Sequence, residues 1–213
     1  MKNAMITALV SVMMGVATAS AEPAMKDLFG AAANLTVPLL KVPEIPAPVM
    51  VISKIVSHDT NLAIAKTLLR EIYTSNNVVY RRDTARRLRD MAQRNRSDKE
   101  LQQVIVQGLL AELSNSNYAV YSLYLVRYVA DIASGTQDVS LKKLAVSGIM
   151  RDLRHIASVH YSLRCINVIV RIAKNSSADV KAMTINLLLI ELTNNNVAEY
   201  SQFIQNKIDE LNN

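Results

Sequence analysis

The chain has 213 residues, enough for one domain with a substantial core, and half of them are hydrophobic. Two residues are Phe and none is Trp, so the abundance of Leu, Ile, Val and Ala favours packed helices over an aromatic-rich β-sandwich. The formal net charge is +6 at pH 7, and the single cysteine, Cys165, excludes an intramolecular disulfide framework.

Residues 1–21 have the composition of a secretory signal peptide. Lys2 is the only charged residue before Glu22, the run between them is apolar, and Ala19-Ser20-Ala21 matches the small-residue pattern that signal peptidase accepts. We therefore predict cleavage after Ala21 and export, either to a periplasm or as a secreted protein. An uncleaved membrane anchor is the alternative, but the apolar run is short for a membrane span.

Residues 22–48 are predicted to form a proline-containing N-terminal segment. All five prolines of the chain lie before residue 49, and four of them fall within residues 37–49, which is typical of an extended linker. Residues 49–57 are similar to the second helix of a later repeat. We therefore predict a lone half-repeat helix there, which would cover one end of a repeat array.

Residues 49–213 are predicted to be an all-α repeat domain with a period of about forty residues. The four units span residues 61–100, 101–140, 141–179 and 180–213, and apolar residues at spacings of three and four recur in register in each. One such column contains Leu68, Leu109, Ile149 and Leu188. Turns rich in Asn and Ser divide each unit into two helices, and Ser158 is the predicted cap in the third unit.

This helix–turn–helix repeat resembles the HEAT and armadillo class of α-solenoids over residues 49–213. The sequence departs from the usual HEAT pattern, because its first helices contain no proline and the regular Asp and Arg of that family are missing. The resemblance implies an extended binding surface and no particular ligand. It favours a scaffold for protein–protein binding over an enzyme.

Two polar columns run through all four units, and in each unit an acid precedes a tyrosine by nine residues. The pairs are Glu71 and Tyr80, Glu112 and Tyr121, Asp152 and Tyr161, and Glu191 and Tyr200. Across an antiparallel hairpin the two residues face one another, so one hypothesis is that the phenol donates a hydrogen bond that fixes the hairpin. The alternative is an exposed ladder of four tyrosines that grips an extended partner.

An arginine cluster lies in the second helix of the first unit. Arg82, Arg86 and Arg89 are spaced by four and three residues, which places them on one helix face, and Arg87 flanks them. The cluster, residues 81–96, is either a solvated face partly neutralised by aspartates or an electropositive docking patch. The predicted export argues against nucleic acid, so the expected partner is an unidentified protein. An anionic envelope polymer or a membrane surface is the alternative partner.

No catalytic constellation is recognisable in the sequence. His155 and His160 are five residues apart, which does not suit a shared metal ion on one helix, and Asp152 already belongs to the acid column. We expect no cofactor and no metal, and we expect Cys165 to be a buried thiol. A divergent enzyme with an unrecognised site between repeats is the remaining alternative.

Overall fold

The computed structural model describes residues 48–153 and 158–213. The predicted signal peptide, nearly all of the proline-containing segment and His155 lie outside the described residues. Within these two ranges the chain is all-α, without strands. Its helices are α1 (Pro48–Thr74), α2 (Val78–Arg94), α3 (Lys99–Asn115), α4 (Ala119–Ser134), α5 (Val139–Asp152), α6 (Val159–Lys174), α7 (Ala178–Thr193) and α8 (Ala198–Asn212).

Consecutive helices pair into four antiparallel hairpins, and the hairpins stack into two layers. The first helices α1, α3, α5 and α7 form one layer, and the second helices α2, α4, α6 and α8 form the other. In the described ranges, helices of non-consecutive hairpins do not contact one another. This pattern confirms the predicted all-α repeat arrangement, in which each repeat buries its apolar surface against its neighbours.

Residues 49–57 are a correction to the sequence-based prediction. They are helical, but they continue without a break into the first helix of the first hairpin, so α1 is a single helix of 27 residues. The physical reason is local, because residues 57–61 contain neither Gly nor Pro and nothing there terminates a helix. No helix of the described ranges is long and apolar enough to span a membrane.

Side-chain caps fix where several helices begin. The Asn77 side chain accepts hydrogen bonds from two backbone N–H groups at the start of α2, and Asp98 and Asp138 cap α3 and α5 in the same way. Ser158 caps α6, as the sequence predicts. Asn77 and Ser158 cap helices at turns within a hairpin, whereas Asp98 and Asp138 cap helices at turns between hairpins.

Close packing of the first helices sets the distance between repeats. A Cβ atom at Gly108 would collide with the Leu69 side chain of α1, and a Cβ atom at Gly148 would collide with the Leu110 side chain of α3. Each glycine thus accepts a leucine from the preceding hairpin, which lets the helix backbones approach closely. The predicted column of Leu68, Leu109, Ile149 and Leu188 lies in the core.

Candidate partner-binding face

The acid–tyrosine pairs join the two helices of a hairpin in three of the four units. The Tyr80 hydroxyl donates to Glu71 Oε2 (2.7 Å), the Tyr200 hydroxyl donates to Glu191 Oε1 (3.1 Å), and the Tyr161 hydroxyl donates to Asp152 Oδ2. Asp152 and Tyr161 are both buried. The hydrogen bond that was predicted to fix the hairpin is therefore confirmed in these three units. It is absent in the second.

In the second unit, Glu112 pairs with an arginine from the preceding hairpin. Arg81 Nη2 donates to Glu112 Oε1, and the Arg81 guanidinium also lies over the Tyr121 ring, 5.1 Å from its centroid. Burial raises the pKa of Glu112, whereas Arg81 lowers it. Burial raises the pKa of Tyr121, and the Glu112 carboxylate raises it further through its charge and as a hydrogen-bond acceptor. The hydroxyl and the carboxylate nevertheless lie outside ordinary hydrogen-bond geometry. In the second unit Arg81 therefore replaces Tyr121 as the hydrogen-bond donor to Glu112.

The hypothesis of an exposed tyrosine ladder is wrong. Tyr80 is 43% exposed, but Tyr121, Tyr161 and Tyr200 are at most 3% exposed. The difference follows from the stacking, because a preceding hairpin covers the last three tyrosines, whereas Tyr80 belongs to the first hairpin of the array. Of these four tyrosines, a partner therefore has access to Tyr80 alone.

The predicted arginine cluster packs against two tyrosines of the next hairpin. The Arg82 guanidinium lies 5.6 Å from the centroid of the Tyr124 ring, and the Arg89 guanidinium lies 5.1 Å from that of Tyr128. The two rings are 6.3 Å apart. Burial raises the pKa of the Tyr128 phenol, and the charges of Arg89, Arg86 and Arg82 oppose that rise. All three arginines therefore converge on one site, which we call the arginine–tyrosine face: Arg82, Arg86, Arg89, Tyr124 and Tyr128.

Aspartates neutralise much of the positive charge of this face. The Asp83 carboxylate lies 3.3 Å from Arg82 Nη2 and 3.7 Å from Arg86 Nη2, and Asp90 lies 2.6 Å from Arg89 Nη2. The sequence indicates both aspartates, because they are neighbours in α2. It did not indicate a third, Asp131 of α4, whose Oδ2 lies 3.5 Å from Arg89 Nη1. In the sequence, the one indication of this contact is that Asp131 occupies the position in α4 that Asp90 occupies in α2.

Asp131 also extends the face toward the third hairpin. Its Oδ1 accepts a hydrogen bond from Arg171 of α6 at 3.4 Å, so one carboxylate bridges arginines from the first and third hairpins. Arg127 of α4 is exposed and occupies the position equivalent to Arg86 in the repeat. The second-helix layer thus presents a continuous surface of arginine, tyrosine and paired aspartate.

Arg87 lies apart from the other predicted arginines. Its side chain is exposed, and its charge opposes the rise in the pKa of Tyr80 that the Glu71 hydrogen bond and burial cause. Although Arg86 and Arg87 are adjacent in sequence, their side chains therefore lie on different parts of the α2 surface. Of the four candidate arginines, the structure brings three together and leaves Arg87 outside the face.

The described histidines and the cysteine each contact different neighbours. His58 Nδ1 lies 2.6 Å from an Asp98 oxygen, and His160 Nε2 accepts a hydrogen bond from Arg164 Nε at 2.9 Å. Cys165 is fully buried, and burial raises the pKa of its thiol to about 12, so it stays protonated as expected. The described ranges contain no group of three His, Cys, Asp or Glu side chains able to hold a metal ion.

The described surface has a cavity of about 210 Å³ between α5 and α7. Met150, Leu187 and Ile190 contribute its apolar lining, Arg151 and Glu191 contribute charge, and neither a histidine nor a cysteine lines it.

No protein-family model matches the sequence, and no curated protein is significantly similar to it in sequence.

Proposed function

We propose that this protein is an exported helical-repeat scaffold that binds a partner protein through the arginine–tyrosine face, without catalysing a reaction. The observation that carries the proposal is the stacking of Arg82 and Arg89 on Tyr124 and Tyr128. We also propose that the array is of the HEAT and armadillo kind, because its helical hairpins contact only their neighbours. That class of fold suggests a binding surface and does not name the ligand.

The geometry of the face suits protein recognition. Arginine and tyrosine, together with tryptophan, are enriched among the residues that dominate binding energy at interfaces. A guanidinium that already lies on an aromatic ring and contacts an aspartate loses little conformational freedom on binding. Arg86 and Tyr124 remain accessible, with 57% of the Arg86 side chain and 37% of Tyr124 exposed. A partner could contact both without disturbing the packed members.

The local charge balance favours a protein partner over an anionic polymer or a membrane surface. Asp83, Asp90 and Asp131 lie among the three arginines, so the face does not present an uninterrupted positive field. Binding driven by such a field weakens steeply with salt, since the Debye length is about 8 Å at physiological ionic strength. Binding through aromatic and bidentate arginine contacts depends less on salt.

Export rests on the apolar run and the small residues that precede Glu22. The expected mature N-terminus is Glu22, and mass spectrometry of protein recovered from the envelope or the medium would identify it. A chain that retains residues 1–21 in the cytoplasm would contradict this part of the proposal.

A crosslinked pull-down from native envelope extract tests the binding proposal. The bait is the wild-type protein, beside an Arg86→Glu/Tyr124→Ala variant that alters only the accessible members of the face. Arg87→Glu is the matched control, because it reverses an exposed charge next in sequence but outside the face. We expect a specific protein that the wild type and Arg87→Glu capture and the double variant loses.

Two other outcomes of this experiment would contradict the proposal. If all three baits capture the same partner, or if the control loses it as well, the arginine–tyrosine face is not the docking site. If only lipid or polysaccharide is retained and moderate salt removes it, the protein binds an anionic surface. Circular dichroism of each variant establishes that the fold is intact.

A further inference from the structure

The first helices contain three apolar columns that couple one repeat to the next. Two of the columns contain Leu69, Leu110, Met150 and Leu189, and Ile72, Leu113, Leu153 and Leu192. The third contains Ala65, Val106, Val146 and Ile185. In the first column, Leu69 packs on Gly108 of the next hairpin, and Leu110 packs on Gly148 of the hairpin after that. Met150 lies beside Leu187 in the cavity between α5 and α7. The first three members of this column therefore face the following repeat.

The last member of every column is more exposed than the members before it. Leu189 is 42% exposed, whereas Leu69, Leu110 and Met150 are at most 7% exposed. Ile185 and Leu192 are half-buried, whereas the preceding members of their columns are buried. In the described ranges no helix follows α7 in its layer, so Leu189 is uncovered, while Ile185 and Leu192 pack partly against the core and keep the rest of their surface exposed. The three residues lie at spacings of four and three on α7. We call them the open coupling face.

The open coupling face is apolar and carries no charge of its own. The stretch from Ala182 to Ile190 contains no charged residue, and Ile190 beside it is 50% exposed. A soluble surface rarely leaves an apolar stripe of this kind uncovered, particularly one that continues an interface used three times within the same chain. The chemistry that matches it is a second apolar helix.

The opposite end of the array does not match this surface. On α1 the position equivalent to Gly108 is Thr67, and Thr67 is exposed. Head-to-tail stacking would place Leu189 of one copy on Thr67, whose β-branched side chain would fill the space that Gly108 and Gly148 leave for Leu69 and Leu110. The open coupling face fits a copy of itself better than it fits α1.

We propose that the protein forms a symmetric dimer in which the open coupling face of one copy packs against that of another. Two antiparallel α7 helices related by a two-fold axis near Leu189 bring Ile185 of each copy to Leu192 of the other. A two-fold interface of this kind is self-complementary and closes after two copies, unlike a head-to-tail interface, which continues into a filament. The dimer leaves the arginine–tyrosine face of both copies accessible.

Sedimentation velocity of the full chain tests the proposal. The wild type is expected to sediment as a dimer, and Leu189→Glu is expected to sediment as a monomer with the helical content of the wild type. Ile64→Glu is the matched control, since Ile64 has the same exposed fraction of 42% on α1, and it is expected to remain dimeric. A monomeric wild type, or a dimer that Leu189→Glu leaves intact, overturns the proposal. Loss of the dimer in Ile64→Glu would establish head-to-tail stacking and overturn it too.

A cysteine crosslink tests the symmetry of the interface directly. Because Cys165 is fully buried, a Leu189→Cys chain has one accessible thiol. Two thiols beside the same two-fold axis form a disulfide under mild oxidation, so a non-reducing gel is expected to contain a covalent dimer. A thiol at Ser147, which is exposed on α5, is the matched control and is expected to stay uncrosslinked. If Ser147→Cys crosslinks as readily as Leu189→Cys, or Leu189→Cys does not crosslink, the symmetric dimer is wrong.

Discussion

The second and third hairpins each contain a buried acid–tyrosine pair, Glu112 with Tyr121 and Asp152 with Tyr161, yet the two pairs make different contacts. In the third hairpin the Tyr161 hydroxyl donates to Asp152. In the second, Glu112 binds Arg81 of the preceding hairpin, and the Tyr121 hydroxyl lies near Glu112 but outside ordinary hydrogen-bond geometry. The acid is one methylene longer in the second hairpin, and it also meets an arginine from the neighbouring repeat.

The residue that follows each tyrosine explains the difference. This column contains Arg81, Ser122, Ser162 and Ser201. Arg81 lies over Tyr121 of the next hairpin, and Ser162 lies close enough to Tyr200 of the next hairpin to lower its pKa by hydrogen bonding, against the larger effect of burial. Where this residue is a serine, the acid of the next hairpin accepts a hydrogen bond from the tyrosine of its own hairpin. Where it is Arg81, the arginine binds the acid of the next hairpin directly. Contacts within a repeat are therefore decided by one position in the repeat before it.

The largest effect is expected for Arg81→Ser, which places in the first repeat the serine that the other three repeats have at the equivalent position. Glu112 is 1% exposed, so it would keep a buried charge without its cation, a change that costs about 3 kcal/mol. We expect the free energy of unfolding in urea to fall by this amount. Arg87→Ser removes an exposed arginine of the same helix and is expected to change little. Equal losses in both variants would contradict the assignment.

The pH dependence of this loss identifies Glu112 as its source. Burial raises the pKa of Glu112 above the ordinary value of 4.5, and Arg81 opposes the rise. Without Arg81 the pKa rises further, so between pH 4.5 and this raised pKa the folded variant binds more protons than the unfolded chain. The deficit of Arg81→Ser relative to the wild type is therefore expected to shrink as the pH falls through that range. A deficit that is independent of pH would assign the loss to packing.

The sequence predicts contacts within a repeat better than contacts between repeats. The nine-residue spacing predicts that Tyr161 faces Asp152, because an antiparallel hairpin fixes which residues are opposite. The contacts of Arg81 with Glu112 and of Arg89 with Asp131 depend on the angle and offset between stacked hairpins. Those quantities arise from side-chain packing, such as that of Leu69 on Gly108, and the repeat period does not specify them.

An intermediate effect is expected for Tyr161→Phe. The substitution removes one donor from the buried Asp152 carboxylate without changing the ring, and loss of a hydrogen bond to a buried charged group costs about 2 kcal/mol. Tyr80→Phe removes the equivalent bond from an exposed pair, where water replaces the donor, and is expected to leave the unfolding midpoint nearly unchanged. Thermal unfolding of the two variants measures the difference. Equal shifts would mean that burial does not distinguish the first and third pairs.

The smallest effect is expected for Tyr121→Phe. The hydroxyl is buried and makes no hydrogen bond of ordinary geometry, so its removal is expected to be nearly neutral. The same substitution in an Arg81→Ser background is expected to destabilise by about 2 kcal/mol, because Tyr121 then becomes the donor to Glu112, as Tyr161 is to Asp152. A double-mutant cycle measured in urea gives this coupling. If Tyr121→Phe costs the same in both backgrounds, Arg81 does not displace the tyrosine, and the second hairpin differs from the third for another reason.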